Sequence, residues 1–133
     1  MTKVITFGTF DVLHVGHLRI LQRARQLGDC LVVGVSSDAL NIAKKSRAPV
    51  FSQDERCELI RNLRCVDEVF VEESLELKRQ YVIDHGADVL VMGDDWAGRF
   101  DFVSDLCKVV YLPRTPSIST TAVIEQIASM GNG

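Results

Sequence analysis

The chain has 133 residues, 47% of them hydrophobic, and a formal net charge of −3. This length predicts one domain, residues 1–133, that buries enough surface to fold without disulfides or a structural metal. The negative charge argues against a nucleic-acid-binding protein, which usually carries a broad basic surface. The sequence contains neither an apolar run of about 20 residues nor a signal-peptide core, so we expect a cytoplasmic protein that does not insert into a membrane. The four cysteines lack C-x-x-C spacing and are expected to be buried, reduced thiols.

Five short apolar runs rich in β-branched residues predict five strands, with amphipathic helical segments between them. Each run is nearly continuous rather than alternating, which is typical of parallel strands buried on both faces. The sequence therefore predicts an α/β, Rossmann-like fold with a five-stranded parallel sheet in the order 3-2-1-4-5 and helices on both faces. Gly28 and Gly86 are predicted to end helices. The predicted strands are residues 3–7, 30–35, 67–71, 88–92 and 108–112.

The stretch GTFDVLHVGH follows the first strand and leads into the first helix. Ligands of such sheets bind beyond the carboxyl ends of the strands, and a helix N-terminus presents unpaired N–H groups and partial positive charge. We therefore predict a phosphate site here, with Gly16 leaving room for it and His14 and His17 flanking it as donors. Thr9 and Asp11 add polar groups. A pair of structural histidines and a pair of metal ligands are the alternative interpretations.

A second predicted anion site is the stretch PRTPSISTT after the last strand. The Arg114 guanidinium can bind two phosphate oxygens at once. One hydroxyl among Ser119, Thr120 and Thr121 is expected to cap the last helix, which leaves the others for phosphate. Two separate anion sites predict a nucleoside triphosphate ligand. The P-loop and dinucleotide-binding glycine motifs are both absent from the sequence.

Two further polar stretches each have two alternative interpretations. The carboxylates of GDDW, after the fourth strand, either contact ribose hydroxyls or cap the next helix, and Trp96 is more typical of core packing. The basic stretch NIAKKSRAPVFSQDER, residues 41–56, is predicted to be a loop that either is simply solvated or closes over anions.

The motifs GTFDVLHVGH, RCVDEV, MGDDW and RTPSISTT, in this order, resemble those of the nucleotidylyltransferase superfamily, and within it the glycerol-3-phosphate cytidylyltransferases. The resemblance extends over nearly the whole chain. It implies transfer of CMP from CTP to sn-glycerol 3-phosphate, giving CDP-glycerol for teichoic acid or capsular polysaccharide synthesis. It also implies in-line attack without a covalent enzyme intermediate, Mg²⁺ bound through the CTP phosphates, and a homodimer that uses Arg64 and Asp67.

The resemblance implies that His14 and His17 stabilise the transition state and that Lys44 and Lys78 hold the acceptor. Together with the motifs above, it predicts catalytic roles for His14, His17, Lys44 and Arg114, and no direct protein ligand for a metal. The predicted acceptor-binding residues are Lys44, Arg47, Arg56 and Lys78. The predicted nucleotide-binding residues are Thr9, Phe10, Asp11, Gly16, Gly93, Asp95, Arg114, Thr115, Ser119 and Thr120.

The sequence departs from the family pattern at three places. Ser46 stands where the family often has a second lysine, Pro116 and Ser117 replace Glu-Gly, and Val15 replaces a tryptophan. The first two leave the acceptor open between glycerol 3-phosphate, another polyol phosphate and phosphoethanolamine. An adenylyltransferase, or a nucleotide-binding regulatory module without turnover, is the other alternative.

Overall fold

The computed structural model describes residues 1–114 and 118–131 and contains a parallel sheet of five strands. The strand order is β3-β2-β1-β4-β5, which confirms the predicted order and the α/β class. Each strand begins and ends within one residue of a predicted run. The strands are β1 (Lys3–Gly8), β2 (Cys30–Ser36), β3 (Glu68–Glu72), β4 (Val89–Gly93) and β5 (Lys108–Leu112).

Five helices connect and follow the strands. No helix among residues 1–114 and 118–131 has the length and apolar character that a membrane span requires. Short 3₁₀ turns lie at Leu75–Leu77, Asp94–Trp96 and Asp101–Val103. The helices are α1 (Val15–Arg25), α2 (Asp38–Lys45), α3 (Gln53–Arg61), α4 (Lys78–Asp84) and α5 (Thr120–Gly131).

Helix α2 corrects the sequence prediction, which treated residues 41–56 as a loop. The Ser37 side chain caps its start by accepting from the Leu40 amide, and the helix ends at Ser46, whose φ is 61°. Asn41 is the one buried residue of α2, and the helix has only 8 residues, which is shorter than the roughly 11 to 18 residues over which helical periodicity is recognised. The basic side chains of this region therefore start from a helix rather than from an open loop.

The core lies on both faces of the sheet, as continuous apolar strands require. Val4 and Ile5 are adjacent in β1 and both are fully buried, one in each of two hydrophobic clusters. The Val4 cluster includes Leu21 of α1 and Ile60 of α3. The Ile5 cluster includes Val82 of α4. This packing fixes the sheet between two helical layers and leaves the carboxyl ends of the strands at one edge for function.

The two glycines predicted to end helices behave differently. Gly86 follows α4 with a φ of +60°, which confirms its predicted place. The prediction for Gly28 is wrong, because α1 ends at Arg25 and Gly28 is not left-handed. A Cβ at Gly28 would lie 2.6 Å from the backbone oxygen of Thr2, so a glycine is needed there for close approach of the chain.

Candidate active site

The carboxyl ends of β1 and β4 and the N-terminal ends of α1 and α5 surround a cavity of about 420 Å³, here called the first cavity. It brings together residues from four separate stretches of the sequence. Thr115, Pro116 and Ser117 lie outside the described residues. The predicted site residues that line the first cavity are Thr9, Phe10, Asp11, His14, Gly16, His17, Arg47, Gly93, Asp95, Arg114, Ser119 and Thr120.

The two histidines of the H-x-G-H motif form a capping box at the start of α1. His14 is the N-cap residue, and its Nδ1 accepts a hydrogen bond from the Gly16 amide at 3.0 Å. In return, Nδ1 of His17 accepts from the His14 amide at 3.2 Å. The two rings stack with centroids 3.8 Å apart. The histidines thus have a structural role through Nδ1. The sequence presents structural histidines and phosphate donors as alternatives, but a ring that uses Nδ1 for capping can still use Nε2 as a donor.

These hydrogen bonds also fix the protonation of both rings. A nitrogen that accepts a backbone N–H carries no proton, so each neutral imidazole must carry its proton on Nε2. Burial lowers the pKa of His17 to about 4, and the neighbouring His14 acts in the same direction. Burial also lowers the pKa of His14. Both rings are therefore neutral hydrogen-bond donors at neutral pH.

Nε2 of His14 is buried and has no hydrogen-bond partner within residues 1–114 and 118–131. A buried donor without a partner costs about 1 to 3 kcal/mol, so such a group calls for a partner such as a water molecule, an ion or a ligand. Because His14 lines the first cavity, a phosphate oxygen there would satisfy this donor.

Gly16 has a different purpose from the one predicted. A Cβ at this position would lie 2.8 Å from Cε1 of His14 and 3.1 Å from Ile118. The glycine therefore makes room for the capping imidazole rather than directly for a phosphate. Its amide is occupied by His14 Nδ1, so the imidazole Nε2–H groups replace this helix amide as donors to the cavity.

Asp11 lines the first cavity, but its carboxylate binds backbone amides of the surrounding protein. Its two side-chain oxygens accept from the backbone amides of Val50 at 2.7 Å and Phe51 at 2.9 Å. Its carbonyl oxygen accepts from the Thr120 hydroxyl at 2.8 Å. Asp11 therefore ties the loop after α2 and the start of α5 to the loop that carries the histidines.

Opposite the histidines, Arg114 follows β5 and is exposed at the rim of the first cavity. Its Nη1 lies 4.0 Å from Oδ2 of Asp95, in a loose ion pair that leaves donors for an anion. A Cβ on Gly93 would lie 2.6 Å from the Asp95 carboxylate, so the glycine lets Asp95 fold against β4. Ser119 is the hydroxyl that caps α5, since it accepts from the Ala122 amide at 3.1 Å.

A second cavity, of about 340 Å³, adjoins the first. Lys44 and Lys78 line this second cavity and not the first. Lys44 is exposed, whereas Lys78 is buried and forms an ion pair with Glu72. Burial lowers the pKa of both lysines, and the Glu72 carboxylate opposes that shift. The residues common to the two cavities are Phe7, Gly8, Thr9, Lys45, Met92, Asp95 and Trp96.

Arg56 does not lie at either cavity, where a substrate-binding residue is expected. Its side chain is completely buried and lines neither cavity. Its guanidinium donates to the carbonyl oxygens of Thr9, Ser36 and Phe51, and also to the Asp38 carboxylate at 2.7 Å. The sequence treated Arg56 as an acceptor-binding cation, and the structure corrects this: its donors are used to join β1, β2, α2 and α3.

Sequence reasoning missed three polar side chains that shape the two cavities. Asn41 is buried and binds Thr9 and Ser36, but its helix was not predicted. Lys45 lines both cavities, although it was not among the predicted site residues. Glu72 ends β3, and the rule that ligands bind at carboxyl ends of parallel strands would have identified it had the end of this strand been considered.

Comparison with known proteins now adds to this geometry. A family model described as Cytidylyltransferase-like matches residues 5–126. The chain belongs to the cytidylyltransferase-like family. Within this family, the glycerol-3-phosphate cytidylyltransferase of Bacillus subtilis strain 168 is 54% identical over 130 residues, covering 98% of this chain and 100% of that protein. The Staphylococcus aureus protein of the same name is 42% identical over 127 residues, covering 96% of each chain.

Solved structures share the fold of this chain. The lipopolysaccharide core biosynthesis protein from Thermoplasma volcanium GSS1 superimposes with a TM-score of 0.76 at 29% identity, covering 86% of this chain and 98% of that one. A putative nicotinate-nucleotide adenylyltransferase from Vibrio parahaemolyticus has a TM-score of 0.58 at 14% identity, covering 99% of this chain and 89% of that one. The latter likeness shows a common fold.

The capping histidines predict how stability depends on pH. Unfolded histidines titrate near their ordinary pKa, whereas His17 in the folded chain titrates at about 4. Below the ordinary value the unfolded state therefore binds more protons, and stability falls as the pH falls from about 6.5 towards 4, with His17 contributing a slope of up to about 1.4 kcal/mol per pH unit. Urea unfolding across this range measures the slope.

The matched variant is His17→Gln, which keeps an acceptor at the same cap position but does not titrate. Its pH slope should be shallower than that of the wild type. His85→Gln, at the third histidine, should leave the slope contributed by His17 unchanged. Equal slopes for wild type and His17→Gln would contradict the assignment.

The two arginines predicted to bind the acceptor are expected to differ in stability. Arg56→Lys keeps the charge but loses the planar fork that reaches four acceptors, so it should lower the free energy of unfolding by roughly 2 to 4 kcal/mol. Arg47→Lys, at an exposed residue of the first cavity, should change that energy little. Chemical denaturation measures both. A stable Arg56→Lys variant with a raised KM for an anionic substrate would restore the original prediction.

Proposed function

We propose that this chain transfers CMP from CTP to sn-glycerol 3-phosphate, forming CDP-glycerol and pyrophosphate. The observation that carries the proposal is the unpartnered Nε2 of His14, a residue that lines a cavity adjoining a second, lysine-lined one. One cavity then holds the triphosphate and the other the acceptor. The full-length match to a glycerol-3-phosphate cytidylyltransferase at 54% identity supports this pair of substrates.

The chemistry is a single in-line displacement. An oxygen of the acceptor phosphate forms a bond to the α-phosphorus of CTP, the bond from that phosphorus to the bridging oxygen breaks, and the electron pair leaves with pyrophosphate. The attacking phosphate is already ionised near neutral pH, so no residue has to remove a proton from it. Positioning the two substrates and stabilising charge are the tasks left to the protein.

The neutral histidines suit that task. As Nε2–H donors, His14 and His17 would bind oxygens of the α-phosphate and strengthen those hydrogen bonds as charge develops in the transition state. Arg114 and the start of α5 would hold the β and γ phosphates, because the guanidinium and a helix N-terminus both favour anions. Lys44 and Lys45, at the border of the second cavity, would bind the acceptor phosphate.

We propose that Mg²⁺ enters with CTP, bound through the phosphates. No three His, Cys, Asp or Glu side chains in residues 1–114 and 118–131 are grouped as a metal cage, and both carboxylate oxygens of Asp11 already accept backbone amides. A donor set of this kind fits a cation that takes most of its ligands from substrate oxygens. When bound, Mg²⁺ would neutralise charge on the departing pyrophosphate.

We also propose a cytoplasmic homodimer whose interface includes Arg64 and Asp67. Arg64 is exposed, as an interface residue of one protomer must be. Asp67 accepts from the Leu31 amide at 2.8 Å and lies 3.2 Å from Arg25, so it holds the loop before β3 in a defined shape that a second copy can recognise.

Pyrophosphate release tests the reaction directly. The purified protein is assayed with CTP or ATP against glycerol 3-phosphate, other polyol phosphates and phosphoethanolamine. The expected result is turnover of CTP with glycerol 3-phosphate above all other pairs. Preferential turnover of another pair would overturn the stated substrates but not the reaction class, and a complete lack of turnover would favour a regulatory module.

Two variants test the histidines in that assay. His14→Ala and His17→Ala each remove one donor to the transition state, and loss of one such donor costs about 10² to 10³ in kcat. Each also removes a cap of α1, so folding of the variants is checked by chemical denaturation. Dissociation of CTP should change much less. Loss of CTP binding with unchanged kcat would show that the histidines bind the ground state instead.

A further inference from the structure

The floor of the second cavity contains a buried ion pair that the reaction described above does not use. Glu72 ends β3 and Lys78 begins α4, and each side chain is only 3% exposed. The Lys78 ammonium also lies 3.8 Å from the centroid of the Phe7 ring and 5.2 Å from that of Phe100. Replacing such a pair by apolar residues is often neutral or stabilising, so a buried ion pair is weak evidence for stability alone.

The pairing changes what Lys78 offers to a substrate. Its charge is balanced by Glu72 within hydrogen-bonding contact, so the floor of the cavity is neutral overall. Lys44 and Lys45 are exposed and make no ion pair among residues 1–114 and 118–131. A phosphate should therefore bind at these two lysines, and the floor should receive an uncharged part of the acceptor.

The hydrogen-bonding capacity of the floor matches a hydroxyl group. Lys78 binds one carboxylate oxygen of Glu72, Oε2, and the other oxygen, Oε1, accepts no hydrogen bond from the described residues. A hydroxyl can donate to that oxygen, whereas a second ammonium would leave an excess positive charge beside Lys78 in an apolar enclosure. Phe7, Trp96 and Phe100 also line this cavity, and a hydrogen bond formed against their apolar surfaces is stronger than one in bulk water.

We propose that Glu72 determines specificity by accepting a hydrogen bond from a hydroxyl of a polyol phosphate, and that Lys78 is a positioning residue that holds the Glu72 carboxylate. The proposal rests on the function proposed above and assigns the acceptor class to one residue. An acceptor without the hydroxyl would fill the space beside this carboxylate oxygen without pairing with it, and an unpaired polar group is how protein sites reject close analogues most strongly.

The test combines a variant with a truncated substrate. Wild type and Glu72→Gln are each assayed with saturating CTP and either glycerol 3-phosphate or n-propyl phosphate, which has no hydroxyls. Wild type should prefer glycerol 3-phosphate by on the order of 100-fold in kcat/KM, and the variant by less than about tenfold. The loss should fall on the KM for glycerol 3-phosphate, with the KM for CTP unchanged.

Two further variants keep the result interpretable. Glu73→Gln changes the next residue, an exposed glutamate, and should behave as wild type. The double variant Glu72→Met/Lys78→Met has neither a buried charge nor a hydrogen-bond acceptor at position 72, so it can fold even if Glu72→Gln alone does not. It should show the same loss of preference for the hydroxyl-bearing acceptor.

Equal loss of kcat/KM for both acceptors in the Glu72 variants would overturn the proposal, since a purely structural residue affects both alike. Unchanged preference in the double variant would overturn it too. If wild type uses neither acceptor with CTP, the proposed function itself fails and the inference fails with it. That outcome is visible without any variant, so the two failures are distinguishable.

Discussion

Two reciprocal hydrogen bonds between imidazoles and backbone amides at the start of α1 are the constraint on which this site depends. They fill helix positions that serine and glutamate usually occupy, and they determine which nitrogen of each ring carries the proton. A serine would cap the start of the same helix equally well. It would not place two neutral N–H donors beside a phosphate. In this chain the same atoms therefore complete the helix and define the chemistry of the cavity.

Other residues hold the start of α1 and the loop before it in place. Asp11 binds the loop before α3 and the start of α5, and Arg56 joins the ends of β1 and β2 to α2 and α3. Both are charged residues close to the first cavity, yet most of their polar side-chain atoms bind other groups of the protein. Charge alone is thus a poor guide to which residues meet the substrate. Among the described residues, the exposed cations that line the two cavities are Lys44, Lys45, Arg47 and Arg114.

The sheet, its strand order and the position of the first cavity could be predicted because each depends on a pattern that extends over the whole sheet. Continuous apolar runs give parallel buried strands, and parallel strands bring their polar ends to one edge. The predictions that were wrong concerned one short helix and single side chains. Helix α2 is too short for its periodicity to stand out, Arg56 looks like any other arginine in a basic stretch, and Gly16 gives no sign that the His14 ring packs against it. These depend on where individual side chains turn, which spacing alone does not determine.

The neutral Nε2–H form of both histidines is the central claim, and NMR of the free protein with ¹⁵N-labelled histidine tests it most directly. Near neutral pH, long-range ¹H–¹⁵N correlations should show His14 and His17 neutral, with unprotonated Nδ1 and protonated Nε2. His17 should keep this form on acidification until its pKa of about 4 is approached. A proton on Nδ1 of either ring, or an imidazolium near neutral pH, would contradict both the capping box and the role given to these donors.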